Sequence, residues 1–510
     1  MIISSALLCK VLCNLLPMLP TRELKTAQPF SFILFGASGH LADIKLYPAL
    51  YVLALKKRVP ENYCVVGFSR TEMTDAEFRK HVEKSIRTHM PAVTEKALTE
   101  FLTHVYYVSG QYDDVKAYKE LAKRLEAIES GWAKNQKPKT KNQVVHLAYF
   151  SVPPDIFPAV SKNLCAGKVH DGKSPFRVIV EKPVGHNLKS FEVIKAQLLE
   201  SFREEEIYLL DHYLGKEAVR NIYYLRHANP MMERIFKNTL INHVEITALE
   251  SAGIQGRAGY FEASGTFRDM VQSHLMMIVS LLTMRLHNEG ELDAGRKNAL
   301  EQFYIPPAAD MDDIVIQGQY GEGAVGKETA TAYRKEKDVA KDSKTNTYSA
   351  MKLMTKISRW EGVPFYLRSG KRLSKKETRV TILFQEPRPV GQGATPNRLD
   401  IILQGEAGMR MHLQTKVGGT EPAFRPLILE DPLVCVGDCL PEHSLLILEA
   451  VHGKHQWFLS FDEVRAAWRL LDPVQAYLDS GKAPLYTYDA GTAGPKEAEE
   501  WMKREGLQWC

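Results

Sequence analysis

Residues 30–42 read Phe30-Ser-Phe-Ile-Leu-Phe35-Gly36-Ala-Ser-Gly39-His40-Leu-Ala42, and the fold follows from this stretch. Phe30–Phe35 is a run of the kind a strand buried on both faces shows. A glycine turn follows at once and opens a segment of helical period that reaches about Arg58. In that order, strand, turn and helix begin a parallel, doubly wound sheet. The glycines let the backbone approach a pyrophosphate, Ala42 permits close helix–strand packing, and the helix N-terminus supplies amide donors. The spacing is G-x-x-G-x-x-A rather than G-x-G-x-x-G, so a plain structural turn competes with the dinucleotide reading. The strand before it and the helix after it favour the dinucleotide.

Working outward, Tyr63–Phe68, Val105–Ser109, Val144–Phe150, Phe176–Val180 and Ile207–Leu210 read as further strands separated by helical stretches. Thr74-Asp-Ala-Glu77 opens one of those helices as a capping box. Strands alternating with helices predict a parallel α/β domain up to about residue 210. Residues 131–143 form a polar, basic connector, read as a solvated loop. Beyond 345 the runs Arg379–Gln385, Leu399–Gln404, Met409–Thr415 and Leu445–Val451 follow closely and predict an antiparallel sheet in an α+β second domain. The expected division is an extension over 1–27, a nucleotide-binding domain over 28–210 and an α+β domain over 211–510, to which the resemblance described below assigns substrate binding and dimerisation.

Four stretches carry chemistry. At the end of the second strand, Gly67-Phe-Ser-Arg70-Thr71 has Arg70 where a carboxylate would bind a ribose 2′-hydroxyl; a guanidinium there suits a 2′-phosphate, hence NADP. A lone surface arginine is the competing reading. Glu181-Lys182-Pro183 follows an apolar strand, and the crevice beyond such strand ends is where ligands bind, so Lys182 is placed to meet an anion or hydroxyl; pairing with Glu181 is the plain alternative. Asp211-His-Tyr-Leu-Gly-Lys-Glu217 also follows a buried strand. It puts carboxylate, imidazole, phenol and ammonium within seven residues, a set suited to a phosphate monoester. In Arg257–His274, Asp269 and His274 lie five apart on a helix, and the pairing favours a general base over a satisfied core histidine.

The 510 residues, 45% hydrophobic and 25% charged, are those of a globular chain with more than one domain. A net charge of +5 over this length permits an anionic small-molecule site and does not indicate nucleic acid, which wants a concentrated basic face. The seven cysteines are scattered and odd in number, and Cys435 and Cys439 lack zinc spacing, so reduced thiols and no metal site are expected. Ile2–Leu19 is apolar but broken by Lys10, Asn14 and Pro17. It reads as an extension rather than a spanning helix or signal peptide, leaving a cytoplasmic protein with no membrane partner.

The set GASGHLA, EKP, DHYLGKE, GYFE..GTFRDMVQSHL and Arg359-Trp-Glu-Gly-Val-Pro-Phe-Tyr-Leu-Arg-Ser-Gly-Lys371, in order from about Phe30 to Trp509, resembles the glucose-6-phosphate dehydrogenase family. The resemblance implies an NADP-binding Rossmann domain joined to a domain with a large antiparallel sheet, through which the protein forms a homodimer or homotetramer. It implies oxidation of glucose 6-phosphate at C1 to 6-phosphoglucono-δ-lactone, the entry step of the pentose phosphate pathway. By motif position His274 is the base and Asp211 orients it; His212, Tyr213 and Lys216 hold the phosphate. Lys182, Glu250, Asp269, Lys371 and Gln404 contact the sugar or phosphate; Gly36, Ser38, Gly39, Lys45, Arg70 and Lys182 bind NADP. The chain departs from the family pattern at His40, where GASGDLA has aspartate. Glu377, Thr381, Ile402, Arg410 and His412 lack most of the basic set that holds a second, structural NADP in some members, so no such site is expected.

Three other readings compete: a luminal hexose-6-phosphate dehydrogenase of broader specificity, a glucose–fructose-oxidoreductase-like enzyme, and a non-catalytic binding protein on the same fold. The first rests only on the apolar N-terminus. The second lacks DHYLGK. The third is opposed by the presence of Asp211, Lys216, Asp269 and His274 together.

Overall fold

The computed structural model describes residues 26, 28–133, 143–286, 289–308, 310–387, 393–433 and 439–510. The apolar N-terminal stretch and most of the basic connector lie outside the described residues. The described chain forms two compact units. One holds the residues through Val180 together with those of 434–454; the other holds Glu181–Leu433 and His455–Cys510.

The first unit is built on strands β1 (Phe30–Phe35), β2 (Tyr63–Ser69), β3 (Val105–Ser109), β4 (Val145–Phe150) and β5 (Phe176–Glu181). They lie in the order β3-β2-β1-β4-β5, every pair parallel. All six β1 residues are buried, which explains the unbroken apolar run: a central strand covered by helices on both faces has no solvent side. The predicted capping box is present, with the Thr74 hydroxyl accepting from the Glu77 amide at 3.3 Å and Glu77 accepting from the Thr74 amide at 2.8 Å.

Leu445–Val451 corrects the sequence reading. It is part of a helix, Glu442–Val451, in the first unit, and its Ser444 hydroxyl donates to the Ala49 carbonyl at 2.9 Å. A short apolar run has no period that separates a buried strand from a buried helix, and here all but Glu442 and Leu445 are buried.

The second unit begins with β6 (Ile207–Leu210) and β7 (Ile241–Leu249), and continues with β8 (Phe303–Tyr304), β9 (Val315–Val325), β10 (Glu328–Ala330), β11 (Tyr348–Thr355), β12 (Phe365–Gly370), β13 (Glu377–Phe384), β14 (Arg398–Gln404), β15 (Gly408–Lys416), β16 (Phe424–Pro432) and β17 (Leu485–Ala490). Its large sheet runs β10-β9-β11-β12-β7-β13-β14-β15-β16, with β17 on β9 and β8 on β11. The expected antiparallel sheet proves to be mixed, because β7 pairs in parallel with β12 and β17 with β9. The parallel β7–β12 pair sends two strands the same way, so that Glu250 and Lys371 emerge side by side at their carboxyl ends; the Glu250 amide donates to the Gly370 carbonyl at 2.9 Å.

Among the described residues no helix is long and apolar enough to cross a membrane. Cys64 and Cys510 are free thiols, whereas Cys439 is disulfide-bonded, which corrects the expectation of reduced cysteines at that position.

Candidate active site

The glycine turn of the first unit is shaped by one close approach. Gly36 has φ +83°, and a Cβ there would meet the Ser151 carbonyl oxygen at 2.1 Å, so only glycine fits. Its amide donates to the Phe68 carbonyl at 3.0 Å and its carbonyl accepts from the Gly39 amide at 2.9 Å, tying the turn to the end of β2. The turn leads into a helical segment over Ala42–Leu46 and Tyr47–Leu55. Ser38 Oγ lies 3.0 Å from Ser69 Oγ and 3.3 Å from Thr71 Oγ1. Arg70 is exposed beside them, its guanidinium 5.8 Å over the Tyr112 ring. A bare glycine turn with hydroxyls and a guanidinium at the next strand end fits a dinucleotide carrying a 2′-phosphate. His40 is exposed on the same turn. Lys45 is held by Glu442 Oε1 at 2.9 Å.

In the second unit the fully buried strand β6 ends at Asp211, which caps the short turn His212–Gly215 by accepting from the Tyr213 amide at 2.9 Å. The same Oδ1 meets His274 Nδ1 at 2.6 Å, and both side chains are buried. His274 comes from a π-helical segment, Phe267–Leu275, whose start is held by Asn346: its carbonyl accepts from the Thr266 amide at 2.9 Å and its Oδ1 from the Phe267 amide at 3.1 Å. A wider i→i+5 turn carries residues five apart toward one side, and so Asp269 and His274 reach the same group, Lys182. The Lys182 ammonium, just after β5, lies 2.6 Å from His274 Nε2, 3.2 Å from Asp269 Oδ1, 2.8 Å from the Asp269 carbonyl and 3.4 Å from Ser273 Oγ.

These partners assign the tautomer: Nδ1–H donates to Asp211, and Nε2 accepts from Lys182. Burial drives the His274 imidazole below its ordinary value; Asp211 opposes this and Lys182 adds to it. Burial would push the Asp211 carboxyl up, yet it lies below its ordinary value because the His274 ring faces it, with Lys182 and the Tyr213 amide adding. Asp269 is likewise held low against burial by Lys182, Lys371 and His274. At neutral pH the site therefore presents a neutral imidazole flanked by two carboxylates and an ammonium.

The Tyr213 ring stacks on His274 at 4.0 Å between centroids, and the His212 ring meets it edge-on at 4.5 Å. Lys216 places its ammonium 3.6 Å over Tyr213. Tyr213 also faces Thr378 Oγ1 at 3.5 Å, which donates to Gln404 Oε1 at 3.1 Å. Lys371 pairs with Glu250, 5.1 Å over the Phe261 ring. Donor atoms of Asp211, His212 and His274 lie within 4.8 Å of one another. A metal ion could use such a set, but Lys182 already engages the outer nitrogen of His274.

Lys182, Asp211, His212, Tyr213, Lys216, Asp269 and His274 thus form one cluster, with Glu250 and Lys371 acting on it and Gln404 joined through Thr378. Sequence reading missed Tyr260, whose hydroxyl donates to Asp269 Oδ1 at 3.0 Å, along with Ser273 and Thr378. Ser273 sits beside His274 in the quoted stretch, and Tyr260 lies nine residues before Asp269. No local pattern marks Thr378, which arrives by strand pairing.

Residues 33–221 match the family description "Glucose-6-phosphate dehydrogenase, NAD binding domain", and residues 223–510 match "Glucose-6-phosphate dehydrogenase, C-terminal domain". The chain is 34% identical over 503 residues to a glucose-6-phosphate 1-dehydrogenase of Chlamydia pneumoniae, covering 95% of this chain and 96% of that one. It is 32% identical over 488 residues to that of Bacillus subtilis, covering 94% and 97%. A solved glucose-6-phosphate dehydrogenase in complex with glucose 6-phosphate superposes with a TM-score of 0.84 at 28% identity, over 95% of this chain and 99% of the other.

Proposed function

The chain belongs to the glucose-6-phosphate dehydrogenase family, and on that premise we propose how its residues divide the work. The protein oxidises D-glucose 6-phosphate at C1 to 6-phospho-D-glucono-1,5-lactone and uses NADP. His274 is the general base and Asp211 its orienting partner. The substrate's C1 hydroxyl takes the place that Lys182 Nζ holds at Nε2 and gives its proton to that nitrogen. The imidazolium so formed is stabilised by Asp211, which is already ionised. Bound NADP supplies the acceptor for the hydrogen that leaves C1 as hydride.

The observation that carries this assignment is the chain Asp211–His274–Lys182, its first two members buried, with 2.6 Å at both contacts. His212, Tyr213 and Lys216 take the phosphate. Lys182, Glu250, Asp269, Lys371 and Gln404 take the sugar hydroxyls and share in the phosphate. Gly36, Ser38, Gly39, Lys45 and Arg70 take NADP, and Lys182 is assigned to this set as well. The functional boundary falls near residue 210, at the end of β6, close to where the matched family descriptions change over.

Reduction of NADP and NAD with glucose 6-phosphate, beside glucose and galactose 6-phosphate, tests the specificity. Glucose 6-phosphate with NADP is expected to be the fastest pair. Equal rates with galactose 6-phosphate would instead favour the broader luminal type of enzyme.

A homodimer or homotetramer is supported by β16, an edge strand of the large sheet that leaves Leu427, Ile428 and Leu429 exposed. Such an apolar edge asks to be covered. Sedimentation as a monomer at micromolar concentration would remove that assignment. The cytoplasm is the proposed location, supported by the free Cys64 and Cys510 and opposed by the disulfide at Cys439; cell fractionation decides it.

A further inference from the structure

We propose that Tyr260 is a positioning residue for the base: its hydroxyl, bonded to Asp269, sets how Lys182 is shared between Asp269 and His274. The inference rests on the reading of His274 as the base. Tyr260 stands on the helix Ala258–Thr266, one turn outside the cluster, and touches neither His274 nor Asp211 by any hydrogen bond in the structure. Its hydroxyl donates to Asp269 Oδ1 at 3.0 Å, and that same oxygen meets Lys182 Nζ at 3.2 Å. Lys182 then reaches His274 Nε2 at 2.6 Å. One carboxylate oxygen therefore divides its lone pairs between a neutral phenol and an ammonium, and the ammonium divides itself between that oxygen and the base.

The phenol is fit for this task. Burial pushes its pKa up and the Asp269 charge pushes it further, so it stays a donor at any working pH. Tyr260 and Lys182 also line a common cavity of about 30 Å³ with Gln272 and Ser273. The helix kink at Gly265, φ +62° against Asn346, fixes the angle between the segment carrying Tyr260 and the segment carrying Asp269 and His274.

Removing the phenol hydroxyl leaves Asp269 Oδ1 with one donor fewer. Its full charge then falls on Lys182, and the ammonium is drawn from His274 toward Asp269. An ammonium next to an imidazole disfavours protonation, so its withdrawal raises the pH at which the base is lost. The charged groups acting on His274 are Asp211 from the end of β6, Lys182 from the end of β5 and Asp269 from its own helix. Lys371, from the end of β12, acts on Asp269. The rings of His212 and Tyr213 pack on His274 from the turn after β6. Arg268, on the same helix, is engaged by Asp479. Of these groups only Asp269 is bonded to Tyr260.

The test is the pH profile of kcat/KM for Tyr260→Phe, which keeps the ring and removes one oxygen. The acid limb is expected to move up by roughly half a pH unit or more, with the KM for NADP unchanged. An acid limb superposed on that of the unaltered enzyme would overturn the proposal, whatever happened to the melting temperature. His274→Asn, assayed alongside, separates the two levels. If it retains activity within tenfold, the assignment of the base fails and this proposal with it. If it is inactive while Tyr260→Phe is indistinguishable from the unaltered enzyme, only the role of Tyr260 fails.

Discussion

Around Gly36 the first unit presents main chain: a turn kept bare of side chains by a carbonyl 2.1 Å from where a Cβ would stand, with exposed Ser38 and Arg70 at its margin. Around His274 the second unit presents side chains: two carboxylates, an ammonium and an imidazole, with Asp211 and His274 buried and all four bonded to one another before any substrate arrives. A nucleotide is bound by shape and by amides that need no preparation, so that site can stay open to water. A base must be kept neutral and aimed, so its site is closed and its charges are arranged in advance. The contrast predicts that damage to the second region destroys rate, while damage to the first changes affinity.

The largest effect tests the second half of that statement. His274→Asn should lower kcat by roughly 10²–10⁴-fold, the range a positioned base contributes, with dissociation constants for glucose 6-phosphate and NADP little changed in equilibrium titrations. The unaltered enzyme should lose activity as pH falls through a value below 6.5, the ordinary imidazole pKa, because the folded protein holds His274 below it. Above that limb the ring is neutral and accepts the proton; below it, Nε2 is occupied. A limb above 6.5 would mean that burial, with Lys182 adding to it, does not outweigh Asp211 at the base.

A smaller effect tests the first half. Arg70→Ala should raise the KM for NADP roughly 10- to 100-fold, as the loss of one hydrogen bond to a charged group predicts, while the KM for NAD stays close to its original value and kcat is retained. Equal changes for the two nucleotides would deny Arg70 the 2′-phosphate. A fall in kcat as large as that of His274→Asn would break the comparison itself.

The two regions were also unequally legible. Strand, turn and helix in the first unit are written in consecutive residues, so period and glycine placement suffice to read them. The second site is assembled from strand ends and one helix. Asp211 and Lys182 could be placed because each follows a buried apolar run, and the Asp269–His274 spacing pointed to one cleft. What could not be read is which groups touch. That Lys182, rather than Asp269, reaches Nε2 depends on a π-helical turn that no residue pattern announces. Thr378 joins Tyr213 to Gln404 through the pairing of β13 with β14, a matter of register, and Leu445–Val451 has no period that tells helix from strand.

The smallest effect concerns Lys45, where the comparison is least settled. It belongs to the nucleotide set by motif position, yet its ammonium lies 2.9 Å from Glu442, 397 residues away, with close to half its side chain exposed. The Glu442 carboxyl is held low, by His443 first, then against burial by the Lys45 charge, so the carboxylate is ionised throughout the physiological range. An ion pair this exposed contributes about 0–1 kcal/mol, little enough for a phosphate to compete for the lysine. Lys45→Met should therefore raise the KM for NADP by only about threefold and lower stability by less than about 1 kcal/mol. Glu442→Gln separates the two roles, because it frees the lysine without removing it. If Lys45 serves the nucleotide, Glu442→Gln lowers the KM for NADP while Lys45→Met raises it. If the two variants lose the same stability and leave the KM untouched, Lys45 ties the helix Glu442–Val451 to the first helical segment and takes no part in binding. The nucleotide site would then rest on the glycine turn, Ser38 and Arg70 alone.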